Sequence, residues 1–90
     1  MLTSHTLLLK FRHDPRYDFP DIEVLYVDRG ATGNLSQVSG DEIRALEAYY
    51  FGIGTGEGEK RIPYHRIRRI SFAGKTVWER SSWLKSDGMR

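Results

Sequence analysis

A chain of 90 residues, 39% hydrophobic and 29% charged, describes one small globular domain and excludes disorder over most of its length. The lack of cysteine excludes a disulfide framework and a thiolate zinc site, and the longest apolar run, Leu7-Leu8-Leu9, falls far short of the ~18 residues that span a bilayer. The net charge of +2 hides an asymmetry, with eight acids against two arginines over residues 21–59 and seven bases against one glutamate over residues 60–80. A basic segment of that kind suits a polyanion, although the two halves could equally pair with each other or solvate the faces of a sheet. A reducing cytoplasm fits the composition, and nothing in it suggests a membrane partner.

Thr3 or Ser4 can cap a helix that places Leu7, Leu8 and Phe11 on one side, and a strand is the alternative for this segment. Asp14-Pro15 ends whichever element forms, because proline disfavours helix in the residue before it. After a loop through Phe19-Pro20-Asp21, the β-branched and aromatic run Ile22–Val27 predicts a strand covered on both sides. Asp28-Arg29-Gly30 opens a turn region that continues through Gly33-Asn34. Ser39 with Glu42 three positions on has the form of a capping box and predicts a brief helix, with Ile43, Leu46 and Tyr50 as its apolar stripe. The adjacent aromatics Tyr49, Tyr50 and Phe51 then turn the pattern strand-like.

Gly52, Gly54, Gly56 and Gly58 alternate with other residues, a composition too glycine-rich for a stable strand interior, so a mobile hairpin tip is expected here. It is not a phosphate loop, since it lacks a Gly-Lys-Ser/Thr ending and carries acids. The last third reads as a strand at Lys60–Ile62, a turn at Pro63-Tyr64-His65-Arg66, and a hairpin of residues 67–72 and 75–80 joined at Ala73-Gly74. Residues 81–90 form a polar tail expected to be partly disordered, leaving residues 1–80 as the domain.

A two-residue loop at Ala73-Gly74 predicts Ile70 opposite Val77 and Arg69 opposite Trp78, so that Ile70, Val77 and Phe72 face the core. Arg69, Trp78 and Arg80 then share the other face, where an indole can stack on an unpaired base and guanidinium groups can clasp phosphate oxygens. Alternatively Trp78 fills a second small core with Arg69 stacked upon it, and a loop of three or four residues would change the register and could reverse the face that Trp78 occupies. The turn Tyr64-His65-Arg66 offers a phenol, an imidazole and a guanidinium for a phosphate and its nucleotide. Asp28 can orient Arg29 or another arginine toward an anion, or simply form a turn. His5, His13 and His65 are the only candidates for acid–base work, and their spacing matches no two-histidine phosphoesterase signature and no metal-ligand pattern.

Taken together, Ile62-Pro63-Tyr64-His65-Arg66-Ile67 followed by Gly74, Val77, Trp78 and Arg80 resembles the RNA cyclic-group-end recognition domain family. Asp14-Pro15-Arg16, Tyr26 with Asp28-Arg29-Gly30, and Gly40-Asp41-Glu42-Ile43 support the likeness, which covers residues 3–80; His13 stands where the family usually has tryptophan. The resemblance implies a helix over residues 4–12 and a module that binds RNA ends bearing a cyclic phosphate or related group, with no cofactor.

The expected architecture is α+β: one small domain of mostly antiparallel strands, with barrel-like closure as an option, and one or two short helices. The expected function is non-catalytic recognition of phosphorylated or cyclic-phosphate RNA ends, with other RNA-processing proteins as further partners. Arg29, Tyr64, His65, Arg66, Arg69, Trp78 and Arg80 form its site, and Asp28 supports them. The rivals are a phosphodiesterase using His65 with His13 and a protein-interaction adaptor with a basic face.

Overall fold

The computed structural model describes residues 3–55 and 58–80, and the polar tail expected at 81–90 lies outside them. Helix α1 spans Ser4–His13, with the Thr3 side chain accepting from the Thr6 amide at 3.1 Å and Asp14 leaving helical geometry at the far end. Its buried side chains, Leu7, Leu8 and Phe11, are the three that the spacing placed together. Asp14 then takes over the chain's direction, accepting from the Arg16 amide at 3.0 Å and from the Arg16 guanidinium at 2.8 Å.

Seven strands follow: β1 (Ile22–Val27), β2 (Leu35–Ser39), β3 (Ile43–Leu46), β4 (Tyr50–Thr55), β5 (Gly58–Pro63), β6 (Ile67–Phe72) and β7 (Lys75–Glu79). They form two antiparallel sheets, one ordered β2-β1-β6-β7 and the other β3-β4-β5, so the α+β expectation holds and the sheets remain two rather than closing into one barrel. The core lies between them. Ile22, Val24, Tyr26, Val38, Ile67 and Ile70 face it from the larger sheet, Ile43, Phe51, Ile53 and Ile62 from the smaller, and α1 adds its three apolar side chains. Two groups of stacked and edge-on rings tie these layers together. Phe11, Tyr17 and Phe72 meet at the C-terminal end of α1, while His5, Tyr64, Phe51 and Tyr26 link helix to both sheets at its N-terminal end.

Four expectations need correction. Strand β1 alternates buried and more open residues, with Glu23 exposed, so only one of its faces is in the core. The capping box at Ser39 forms, with the Glu42 carboxylate accepting from the Ser39 amide at 3.3 Å, but it opens a single 3-10 turn at Gly40–Glu42 and not a helix. The chain extends at once because Ile43 must reach the core beside Ile53, its cross-strand partner. Gly52 and Gly54 are strand interior, paired with Arg61 and Glu59. The glycines let long side chains lie across the sheet: a Cβ on Gly52 would stand 2.3 Å from the Glu59 carboxylate, and one on Gly54 2.4 Å from the Arg44 guanidinium.

The fourth correction concerns register. Ala73 and Gly74 form the expected two-residue loop, both with positive φ (51° and 87°), as a type I′ turn requires. Phe72 pairs with Lys75 and Ser71 with Thr76, but a bulge at Val77 then brings Trp78 opposite Ile70 and Glu79 opposite Arg69. Trp78 therefore packs against the core, whereas Val77 is 41% exposed. A second bulge, at Arg68, lets Ile67 and Ile70 both point inward although three positions separate them. No helix among the described residues is long and apolar enough to cross a membrane.

Candidate nucleic-acid interface

The strand order brings chemistry-bearing residues to one end of the larger sheet. Strand β1 finishes there at Val27 and hands on to Asp28 and Arg29; β2 begins there beside Ser36; β6 begins there after the turn Tyr64–Arg66; β7 finishes there before Arg80. Lys60 reaches the same place from β5 of the other sheet, 3.2 Å from the Asp28 carboxylate. The opposite end is acidic, where the turns Phe19–Asp21 and Gly40–Glu42 pack together and carry Asp21, Asp41 and Glu42. The asymmetry noted along the chain thus becomes two poles in space.

Asp28 is the hub of the basic end. Its carboxylate accepts from Ser36 Oγ at 2.6 Å and from Lys60 Nζ at 3.2 Å. The Ser36 bond first, then Lys60, and more weakly the field of Arg66, hold its pKa below the usual carboxylate range. Lys60 also stands 6.0 Å above the Tyr26 ring. Arg66 is half-buried, and its guanidinium engages no hydrogen-bond acceptor among the described residues, as is also true of the side chains of Arg29 and His65. A half-buried guanidinium with its donors unanswered, close to an acid already held by two other groups, is a place for an anion.

Other expected site residues have structural engagements. Tyr64 is buried, its hydroxyl donates to the Glu47 carbonyl at 2.7 Å, and His5 stacks on its ring at 4.5 Å. Burial pushes its phenol up to about 12. Arg80 donates from Nε to the Ile67 carbonyl at 2.9 Å and from Nη2 to the Tyr64 carbonyl at 3.1 Å, and its guanidinium sits 5.3 Å from the Trp78 ring. Burial, and then repulsion from Arg68, lowers its proton affinity. Arg69 faces Glu79 at 3.9 Å. The structure therefore gathers Asp28, Arg29, His65 and Arg66, together with Lys60 and Ser36. It uses Tyr64, Trp78 and Arg80 to build and brace the turn that carries His65 and Arg66.

Sequence reasoning missed Lys60 and Ser36 because their relevance depends on contacts across 32 and 8 positions. His5 is the α1 histidine beside the turn, stacked on Tyr64. His13 lies eight residues further along α1 from His5, about 12 Å along the helix axis.

The family model of the MJ1316 RNA cyclic group end recognition domain matches residues 1–80. The chain belongs to that family. It is 40% identical over 75 residues to a UPF0248 protein of Thermococcus gammatolerans, covering 82% of this chain and 84% of that one. A UPF0248 protein of Archaeoglobus fulgidus is 35% identical over 71 residues, covering 79% and 96% respectively. One from Methanopyrus kandleri is 32% identical over 68 residues, covering 76% and 86%. No solved structure matches the chain.

Proposed function

We propose that this member of the MJ1316 family is a non-catalytic module that holds a phosphorylated or cyclic-phosphate RNA end at the basic end of its larger sheet. The family's printed description supplies the ligand class. The unengaged guanidinium of Arg66 is the single observation that carries the location. In this reading Arg66 forms the bidentate contact to the terminal phosphate, while Arg29, His65 and Lys60 supply charge and donors around it. Asp28 aims the exposed Lys60 toward this end. Arg80 acts behind the site by fixing the carbonyls of the turn, and Trp78 backs Arg80.

Three matched oligonucleotides, ending in a 2′,3′-cyclic phosphate, a 3′-phosphate or a free hydroxyl, test the reading by titration. A phosphorylated end should bind more tightly than the hydroxyl end, and Arg66→Ala should reduce that binding about tenfold or more, as expected for hydrogen bonds to a charged group. Equal affinity for all three ends, or an Arg66→Ala protein that binds normally, would overturn it. Cleavage of the cyclic end that His65→Ala abolishes would show an enzyme instead.

A further inference from the structure

Beside the basic end stands a tyrosine to which the pocket assigns no task. Tyr49 is 83% exposed, the most open of the large hydrophobic side chains among the described residues. Its backbone, in contrast, is pinned. The Glu47 amide donates to the Tyr50 carbonyl at 2.9 Å, closing a tight turn between β3 and β4. The Tyr49 carbonyl accepts from the Tyr64 amide at 3.3 Å, and the Tyr64 hydroxyl returns to the Glu47 carbonyl at 2.7 Å. Two bonds thus lock this turn onto the first residue of the turn that presents His65 and Arg66. The ring stands out in water on a turn whose backbone is bonded to the residue that precedes His65 and Arg66.

The strand leading away from Tyr49 adds a second ring. Tyr50 follows, with the Arg61 guanidinium 5.2 Å from its ring. Beyond it the Glu59 carboxylate lies across Gly52 and the Arg44 guanidinium across Gly54, so the cations available to a strand on this face are Arg61 and Arg44.

From this juxtaposition we infer that Tyr49 is the stacking platform for the unpaired base next to the terminal group, so that the ligand is a single-stranded RNA end and not the end of a duplex. The inference rests on the proposed phosphate site. A phenol ring accepts the π-face of any base, which gives affinity without sequence preference. In a duplex that base is paired and stacked within the helix and cannot turn onto the ring. Arg61 over Tyr50 extends the same surface, offering a cation to the backbone of the strand.

Four RNAs test it, three sharing one cyclic-phosphate end (a single strand, the same strand with an abasic residue next to the end, and the strand annealed to its complement as a blunt duplex) and a fourth, the single strand ending in a hydroxyl. The single strand should bind best. Tyr49→Ala should weaken it about tenfold, in the range of one lost base stack, while leaving the abasic strand unchanged, and Tyr49→Phe should restore wild-type affinity. An exposed ring contributes little to folding, so the Tyr49→Ala thermal midpoint should match the parent. A duplex bound as tightly as the single strand, or a Tyr49→Ala protein unaffected on it, would overturn the inference. If that happened while Arg66→Ala still lost the phosphorylated end, the phosphate site would survive without the platform. If cyclic and hydroxyl ends bound alike, the site itself would fall and the platform with it.

Discussion

Tyr64 shows how a residue type can suggest one task and serve another. Its phenol, ordinarily titrating at 10.0, is pushed up to about 12 by burial, and it donates to the Glu47 carbonyl. Folding favours the protonated form, so this contribution to stability is intact below pH 10 and is lost as pH rises from there toward about 12. The unfolding midpoint should fall over that alkaline window. Tyr64→Phe should lower stability near neutrality by about 1 kcal/mol through the missing hydrogen bond and should remove most of the alkaline decline. A Tyr64→Phe curve parallel to the parent's would show that another group governs the window. Among the glycines, Gly40 is the demanding one: a Cβ there would stand 1.9 Å from the Phe19 carbonyl oxygen, which is backbone. Gly40→Ala should cost about 3 kcal/mol in denaturant unfolding by forcing the two turns apart. At Gly54 the obstacle is only the far end of the Arg44 side chain. Gly54→Ala should change stability by less than about 1 kcal/mol, since the swinging arginine and the better strand residue offset each other.

Among the elements, those set by local chemistry were readable and those set by parity across a sheet were not. The Thr3 cap with Leu7, Leu8 and Phe11, the stop at Asp14-Pro15, and the Ala73-Gly74 turn each rest on interactions within a few residues. The bulges do not. The spacing of Ile67 and Ile70 held a signal, because a regular strand sends residues three apart to opposite faces, and two isoleucines flanking a pair of arginines ask for an irregularity. Nothing comparable marks Val77, and the choice between Val77 and Trp78 was made by the space left beside Ile70. The candidate site divides in the same way. Asp28, Arg29, His65 and Arg66 were readable from their charges and turn context, while Lys60 became visible only when β5 crossed to the end of β1. Ser39 with Glu42 shows the limit of a motif: the capping box formed, yet it fixes how a turn starts and not how far it runs.

At the scale of the molecule, charge is sorted by pole. Phosphate contacts at the basic pole release counterions, so affinity for a single-stranded end should fall linearly with salt on a log–log plot. The slope should lie near about −2 if three phosphates are neutralised. Lys75→Glu, close to the acidic pole, should leave that slope unchanged, whereas Arg66→Ala should make it shallower; equal effects from both would argue for diffuse attraction. One detail also bears on where this unit can be cut. Arg80 is the staple that joins the last strand to the turn before β6 through the Ile67 and Tyr64 carbonyls. A version shortened after Glu79 loses both bonds and should melt several degrees below one shortened after Arg80. A single guanidinium would then mark the difference between a self-sufficient domain and one that loosens at the very edge where its ligand is expected to arrive.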